Sequence, residues 1–172
     1  MYLISYGTRP ELIKLFPLIN IFKENNIDHK TIFTGQHEDL IKEFENLTHR
    51  PDFVLEKTMK HKQSINSLIY KIINESQKII NSYDCKVIIQ GDAASSFAVA
   101  LSAFNEGKEV IHVEAGLRTH NLRSPFPEEG FRKMISHISN IHFCPTIKSV
   151  ENLKNEGITE NVHLVGNTIV DS

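Results

Sequence analysis

The sequence has few cysteines, no long apolar run and no excess of charge of one sign. Only Cys85 and Cys144 occur among the 172 residues, and each lies beside a predicted strand, which favours reduced core thiols over a disulfide framework. No stretch approaches the roughly 18 apolar residues of a membrane helix. Met1 leads into a predicted strand without a basic leader or a cleavage site. The sequence therefore predicts a cytoplasmic protein that is not exported and has no membrane partner.

The charges are nearly balanced, with 19 lysines and arginines against 21 aspartates and glutamates. No basic tract could neutralise a phosphate backbone, so nucleic acid is not an expected partner. The histidines lack the spacing of metal ligands, and we assign no metal. We expect histidines such as His112 and His142 at the edge of the core or at the surface.

Short β-branched runs alternate with helical patterns, which is typical of βαβ units and a parallel sheet. Strands are predicted at residues 2–6, 31–33, 53–55, 87–90, 109–113, 142–144 and 162–165. Helices are predicted from Pro10 onward and at residues 38–47, 65–80, 97–104 and 147–156. A chain of this length buries roughly two-thirds of its unfolded surface. The fold class is therefore α/β, as one Rossmann-like domain over residues 1–172 whose parallel sheet is flanked by helices.

Three acidic segments stand out in the second half of the chain. Asp92 leaves one predicted strand, Glu114 leaves the next, and Glu128 follows the stiff Ser-Pro-Phe-Pro loop at 124–127. Because loops at the carboxyl ends of parallel strands converge, we expect these carboxylates at one rim of the sheet. Two carboxylates about 4 Å apart repel by roughly 4 kcal/mol. Either one of them keeps its proton or a cation compensates, and the candidate cations are Arg9, Arg118, Arg123 and Arg132.

Each carboxylate also has a simpler interpretation. Asp92 precedes a predicted helix and could be its N-cap, and Glu114 and Glu128 could form solvated ion pairs with nearby arginines. The Gly7 turn with Arg9 could hold a phosphate at a helix N-terminus. Three acids at one rim are better explained by acid/base chemistry, and we expect proton transfer at carbon.

Six segments together carry a resemblance to a known family. The sequence resembles the non-hydrolysing UDP-N-acetylglucosamine 2-epimerases in the order and spacing of these segments, which are 7–11 (GTRPE), 34–37 (TGQH), 91–92 (GD), 112–119 (HVEAGLRT), 124–129 (SPFPEE) and 166–168 (GNT). The resemblance implies the N-terminal half of a glycosyltransferase-B type two-domain fold. The C-terminal UDP-binding domain is then absent from this chain, which is expected to be nearly inactive alone.

The resemblance also implies a reaction and the residues that serve it. It implies removal of the C2 proton of UDP-N-acetylglucosamine, elimination of UDP and its re-addition to give UDP-N-acetylmannosamine, without a cofactor. The complete protein is expected to be a homodimer. The matching positions are Asp92, Glu114 and Glu128 for catalysis, Arg9 and Arg132 for substrate binding, and Gln36 and His37 for a second, activating UDP-N-acetylglucosamine.

The chain departs from the family pattern at three positions. Ala93 replaces a usual threonine that could cap a helix, Glu38 replaces an arginine beside the activator segment, and Phe131 replaces a polar residue before Arg132. The alternatives are a hydrolysing epimerase, a sugar-nucleotide glycosyltransferase or a non-catalytic fragment that binds a UDP-sugar or a partner. The first usually has an arginine after the glycine-aspartate pair and a glycine pair after the histidine strand, and neither occurs here.

Overall fold

The computed structural model describes residues 1–35, 50–55 and 63–167. The strands are β1 (Tyr2–Tyr6), β2 (His29–Phe33), β3 (Phe53–Val54), β4 (Lys86–Gln90), β5 (Val110–Val113), β6 (Ile141–Cys144) and β7 (Val162–Leu164). The helices are α1 (Arg9–Glu24), α2 (Ile65–Asn81), α3 (Ala94–Asn105), α4 (Glu128–Ile138) and α5 (Ile147–Asn155). Strands and helices alternate from β3 onward, as the sequence pattern predicts.

The seven described strands form one sheet in the order β3-β2-β1-β4-β5-β6-β7. Every neighbouring pair is parallel. The chain begins in the middle of the sheet, builds one half outward from β1 and then returns to build the other from β4. Such a reversal leaves a crevice at the carboxyl ends of the two central strands, where ligands bind in open α/β sheets. The predicted Rossmann-like fold is confirmed.

Two apolar layers cover the two faces of the sheet because side chains alternate along each strand. Leu3, Val87 and Ile89 point to a layer that includes Leu68 and Ile72 of α2 and Ile135 of α4. Ile4 and Ile88 point to the opposite layer, which is filled from α1 by Leu12, Leu15, Ile19 and Phe22. The sheet is thus covered on both faces by apolar side chains of the helices.

Most predicted elements are observed close to their expected bounds, but one helix was missed. Helix α4 begins directly after the proline loop, and its buried face comprises Glu129, Phe131, Ile135 and Ser136. From the sequence we predict a rigid loop before Glu128 and no helix after it. Phe131, which departs from the family pattern, stacks on Phe97 of α3 with ring centroids 4.9 Å apart. This position therefore supports the packing of two helices.

Several expectations fall on residues 36–49, 56–62 and 168–172. The predicted activator residues Gln36 and His37, the predicted helix at 38–47 and the end of the last family segment lie outside the described residues. Within the described part of the chain, no helix is long and apolar enough to cross a bilayer. Cys85 and Cys144 are both buried and free, as predicted.

Candidate active site

The carboxyl ends of β1, β4 and β5 lie side by side and define the candidate site. The sheet ladder continues one residue past the strands, because the Gly91 amide donates to the Val113 carbonyl at 3.0 Å and the Ala115 amide donates to the Phe143 carbonyl at 3.0 Å. The residues that follow each strand are therefore held in register with their neighbours. This ladder fixes the backbone of Asp92 and Glu114 at the same edge of the sheet.

Asp92 is paired with a cation and does not cap a helix. Its Oδ2 atom accepts a hydrogen bond from Nε of Arg132 at 2.6 Å. The N-cap of α3 is Ala93, and no side chain caps this helix. The N-cap interpretation of Asp92 is wrong, because the carboxylate points toward α4 instead of the amides of α3. The absence of a capping hydroxyl at Ala93, expected from the sequence, is confirmed.

Glu114 stands on a strained backbone and is held from two sides. Its φ angle is +65°, a left-handed conformation that costs a non-glycine residue about 1–2 kcal/mol. Lys14 Nζ donates to both carboxylate oxygens at 2.8 and 2.7 Å, and the side-chain amide of Gln90 donates to Oε2. Strain of this kind persists where the surrounding structure imposes it and is concentrated at functional sites. The cation is a lysine of α1, so the alternative in which Glu114 pairs with a nearby arginine is not observed in the described residues.

Glu129 forms the buried base of the cluster. Its side chain is fully buried and accepts hydrogen bonds from the amides of Thr119 and His120 at 3.1 and 3.0 Å and from Nη1 of Arg132 at 3.2 Å. Burial alone would raise the pKa of Glu129, but these two amides and the guanidinium outweigh it and hold the pKa below its ordinary value. Arg132 is therefore held by two carboxylates, the fully buried Glu129 and the more exposed Asp92.

Glu128 lies in the first turn of α4, one helical turn before Arg132. It is partly buried, and within residues 1–35, 50–55 and 63–167 it forms no ion pair. The solvated ion pair considered for Glu128 is therefore not observed there. Residues four apart lie on the same face of a helix, so Glu128 lies on the face of α4 that carries Arg132. Helix α4 thus brings Glu128 to the edge where Arg132 holds Asp92.

The other candidate cations lie in different surroundings. Arg118 has a fully buried side chain that forms an ion pair with Glu156 at 2.7 Å and donates to Ser136 Oγ at 3.0 Å. Its expected role as a counter-charge for the rim carboxylates is wrong, because it joins α4 to α5. Arg123 is exposed, with its guanidinium carbon 6.0 Å from the ring centroid of Phe126. Arg9 is exposed at the first residue of α1.

The Gly7 turn is occupied by a side chain of its own helix. Glu11 Oε2 accepts hydrogen bonds from the amides of Gly7 at 2.5 Å and Thr8 at 2.9 Å. The amides of Gly7 and Thr8 are therefore already used by Glu11, so a phosphate at this turn would have to rely on other donors such as Arg9. A methyl group on Gly7 would lie 2.2 Å from Thr34 Oγ1 and 2.8 Å from Ser95 Oγ. Only glycine fits at the end of β1.

Two histidines expected at the edge of the core or at the surface are buried within the sheet. His112 on β5 is 1% exposed and His142 on β6 is 2% exposed. The ring of His112 contacts the Gly91 carbonyl through Nε2 at 2.8 Å. Burial lowers the pKa of His112 to about 3, so the ring stays neutral and acts as a fixed donor beside Asp92. Within the described part of the chain, no group of three or more histidine, cysteine, aspartate or glutamate side chains could hold a metal ion.

Two grooves in the described structure lie at the opposite edge of the sheet. One of about 370 Å³ is lined by residues at the starts of β1, β4 and β5, and another of about 610 Å³ is lined by residues at the starts of β6 and β7. Neither of these two grooves is lined by residues of the acidic cluster. We place the candidate site at the rim because the charged side chains with buried partners are gathered there.

Reasoning from the sequence missed three members of this cluster, Lys14, Gln90 and Glu129. The signals available were weak. Lys14 lies one turn beyond the Gly7 turn on the helix that starts at the rim, and Gln90 is the polar last residue of an apolar strand. Glu129 directly follows Glu128. Phe131 and Ile135, which are apolar and four residues apart, predict an amphipathic helix that has Glu129 on its buried side.

The parallel sheet and the charged side chains at its carboxyl edge define a Rossmann-like α/β protein. Residues 20–172 match the family model of UDP-N-acetylglucosamine 2-epimerase. The UDP-N-acetylglucosamine 2-epimerase of Campylobacter jejuni is 37% identical over 174 residues, which cover 99% of this chain and 45% of that protein.

Two solved structures are similar over nearly the whole chain. The UDP-GlcNAc 2-epimerase from Neisseria meningitidis, bound to UDP-GlcNAc, is 36% identical with a TM-score of 0.92 and covers 99% of this chain and 47% of that one. The UDP-GlcNAc 2-epimerase of Methanocaldococcus jannaschii, in complex with UDP-GlcNAc and UDP, is 38% identical with a TM-score of 0.90. The match covers 99% of this chain and 48% of that one.

The chain belongs to the UDP-N-acetylglucosamine 2-epimerase family. It spans about half the length of the curated relatives that it matches. This partial coverage agrees with the prediction, made from the order of the sequence motifs, that the chain is the N-terminal half of a longer protein.

Proposed function

We propose that this chain supplies the acid/base half of an enzyme that interconverts UDP-N-acetylglucosamine and UDP-N-acetylmannosamine. The family membership and the solved relative with bound UDP-GlcNAc support the substrate. The observation that carries the proposal is the pair of rim carboxylates, Asp92 and Glu114, each within 2.8 Å of a cation from a different helix.

The chemistry needs a base at C2 and charge stabilisation at the departing diphosphate. The C2 proton is weakly acidic, so a carboxylate must be positioned against it, and general-base catalysis of this kind contributes roughly 10²–10⁴-fold to a rate. Anti elimination removes the C2 proton and releases UDP from C1; UDP then adds back to C1 of the acetamidoglucal while a proton is returned to C2 from the opposite face, which inverts C2. Fixed cations at the rim would stabilise the negative charge that develops on UDP.

The three carboxylates differ in their surroundings, and we propose different duties for them. Asp92 and Glu114 are held by Arg132 and Lys14 and keep a fixed direction, as proton abstraction requires. Glu128 has no cation partner in the described residues, and we propose it as the third acid/base group of the reaction. Arg9, exposed at the start of α1, is the proposed contact for the diphosphate.

Arg132 is the second proposed substrate-binding residue. Its one positive charge already faces Asp92 and Glu129, so a phosphate would have to compete with two carboxylates. We therefore propose that Arg132 serves the substrate chiefly by orienting Asp92. The activator site at Gln36 and His37 and the homodimer remain predictions from the resemblance.

A second Rossmann-like domain is proposed to close the cleft over this rim and to grip the uridine diphosphate. The test compares the 172-residue chain with the same chain joined to the C-terminal half of the Campylobacter jejuni relative. Each is mixed with UDP-N-acetylglucosamine and followed by proton NMR. The joined protein should form UDP-N-acetylmannosamine, and the chain alone should form none.

The same spectra separate this activity from the alternatives. A hydrolysing epimerase would release free N-acetylmannosamine and UDP in equal amounts, whereas the proposed reaction keeps the nucleotide on the sugar at equilibrium. A non-catalytic binding domain would form neither product. Accumulation of free N-acetylmannosamine, or no product from a folded joined protein that binds UDP, would refute the proposed function.

A further inference from the structure

Glu11 is a buried acid that the proposed reaction does not use. It is the third residue of α1 and only 4% exposed. With Thr8 it forms a capping box, in which each side chain bonds to the backbone of the other residue. Glu11 also reaches beyond its own helix, because its Oε1 atom lies 2.9 Å from Ser96 Oγ of α3. A capping box alone would need neither this burial nor this contact.

The hydrogen bonds around Ser96 define where the protons lie. Ser96 Oγ is 2.9 Å from Glu11 Oε1 and 2.8 Å from the backbone carbonyl of Gln90. A hydroxyl has one proton to donate, and a carbonyl can only accept. If Ser96 donates to Gln90, the contact with Glu11 needs a proton that comes from Glu11. The other oxygen of Glu11 accepts from the amides of Gly7 and Thr8.

We propose that Glu11 is a neutral carboxylic acid that donates to Ser96 and positions the end of β1 against the end of β4 at the active-site rim. In this arrangement every donor of the network has an acceptor, and none of the partners of Glu11 is charged. Burial, the largest influence, raises the pKa of Glu11, while hydrogen bonds from the amides of Gly7 and Thr8 oppose the rise. The direction of this change agrees with the proton count.

The network extends to a residue of the candidate site. Gln90 receives the Ser96 hydroxyl on its backbone carbonyl, and its side-chain amide donates to Glu114. Glu11 therefore connects the turn that precedes Arg9 with the residue that orients Glu114. A neutral acid also adds no negative charge beside the place proposed for a diphosphate. This last consequence rests on the proposed function, whereas the protonation of Glu11 does not.

The protonation state is measured on the 172-residue chain without any substrate. Carbon-13 NMR of the side-chain carboxyl carbons separates the acid form of a glutamate from the carboxylate form. We expect the Glu11 carboxyl carbon to have the shift of a neutral acid at neutral pH, where exposed glutamates are ionised. A carboxylate shift for Glu11 at neutral pH would overturn the proposal. Because no turnover is needed, this result is independent of whether the epimerase activity exists.

The positioning role is tested with two substitutions. In Glu11→Gln the amide can donate to Ser96 and its oxygen can still accept from Gly7 and Thr8, so the neutral acid is mimicked. We expect the carboxyl resonance of Glu114 and the side-chain amide resonance of Gln90 to be unchanged in Glu11→Gln and shifted in Glu11→Ala. Equal shifts in both variants, or no shift in Glu11→Ala, would contradict the role. If Glu11→Ala fails to fold, the glutamine variant and the wild-type carboxyl shift still decide the question.

Discussion

Replacing Glu129 with glutamine removes a negative charge from the interior without changing the shape of the side chain. In the folded protein this carboxylate accepts from two backbone amides and from Arg132, at 3.0 to 3.2 Å. Glutamine keeps one accepting oxygen and replaces the other with a donating amide group. At least one of the three donors then faces another donor in a fully buried position.

The expected loss of stability follows from these contacts. A hydrogen bond to a charged group contributes about 1.5–3 kcal/mol, and breaking a buried ion pair by removing one partner costs about 3–5 kcal/mol. Because Arg132 keeps Asp92 as a second partner, the lower part of this range applies, and we expect Glu129→Gln to cost about 3 kcal/mol at neutral pH. For a chain of this size, that corresponds to roughly 6–12 °C in Tm.

The pH dependence gives an independent check on the cause. The pKa of Glu129 in the folded protein lies below its ordinary value of 4.5. Its contribution to stability is therefore complete above that value and is lost as the pH falls through the folded pKa. The difference in free energy of unfolding between wild type and Glu129→Gln should be largest at neutral pH and should shrink in acid.

Urea unfolding followed by circular dichroism at neutral and acidic pH measures these differences. Glu128→Gln is the matched control, because it makes the same chemical change one residue earlier, where the described structure shows no ion pair; it should change stability by no more than about 0.5 kcal/mol. If the two variants lose the same free energy of unfolding, or if the loss in Glu129→Gln does not depend on pH, Glu129 is not the buried carboxylate that holds Arg132.

Three further substitutions test other parts of the structure. Asp92→Asn should reduce turnover of the joined protein by roughly 10²–10⁴-fold with an unchanged circular dichroism spectrum, and retained activity would remove Asp92 from the mechanism. Lys14→Met breaks a partly buried ion pair and should lower the free energy of urea unfolding by about 1–3 kcal/mol, whereas no loss would show that this pair is not formed in solution. Gly116→Ala should cost at least about 2 kcal/mol, because φ is +83° and the new methyl group would lie 2.3 Å from the Ser149 carbonyl. Gly107→Ala is its control, since φ is +66° but nothing lies within 4 Å, and equal melting temperatures of the two variants would contradict the steric argument.

The sheet could be predicted from the sequence because each strand is a short, distinct apolar run. The predicted strand at residues 2–6 has the observed bounds of β1, and Gln90 and Val113 end β4 and β5 as expected. Parallel pairing then places Asp92 and Glu114 at one edge by topology alone. The edge of the sheet that carries the candidate site could therefore be predicted from the apolar strand runs and from the parallel pairing of the strands.

The partners of the carboxylates could not be predicted in the same way. Arg118 is four residues from Glu114 in sequence, yet it turns away and pairs with Glu156. The observed partner, Lys14, is 100 residues away along the chain. Ion pairs of this kind depend on how the helices pack against the sheet. Closeness of two residues along the chain does not reveal that packing.

Helix α4 was missed because the prolines at 125 and 127 suggested that the loop continued. A helix can begin directly after a proline, and residues 131, 135 and 138 carry the apolar spacing of a helix that begins there. Without this helix, Glu129 could not be recognised as buried. The structure was therefore needed to show that Glu129 is buried and paired with Arg132, whereas its neighbour Glu128 is only partly buried.

The most direct test of the central claim is the fate of the hydrogen at C2 when the joined protein converts UDP-N-acetylglucosamine in heavy water. If the carboxylates at this rim remove and return a proton, the UDP-N-acetylmannosamine formed should carry deuterium from the solvent at C2. Product that retains the original hydrogen at C2 would contradict proton abstraction and, with it, the assignment of Asp92, Glu114 and Glu128 to the reaction.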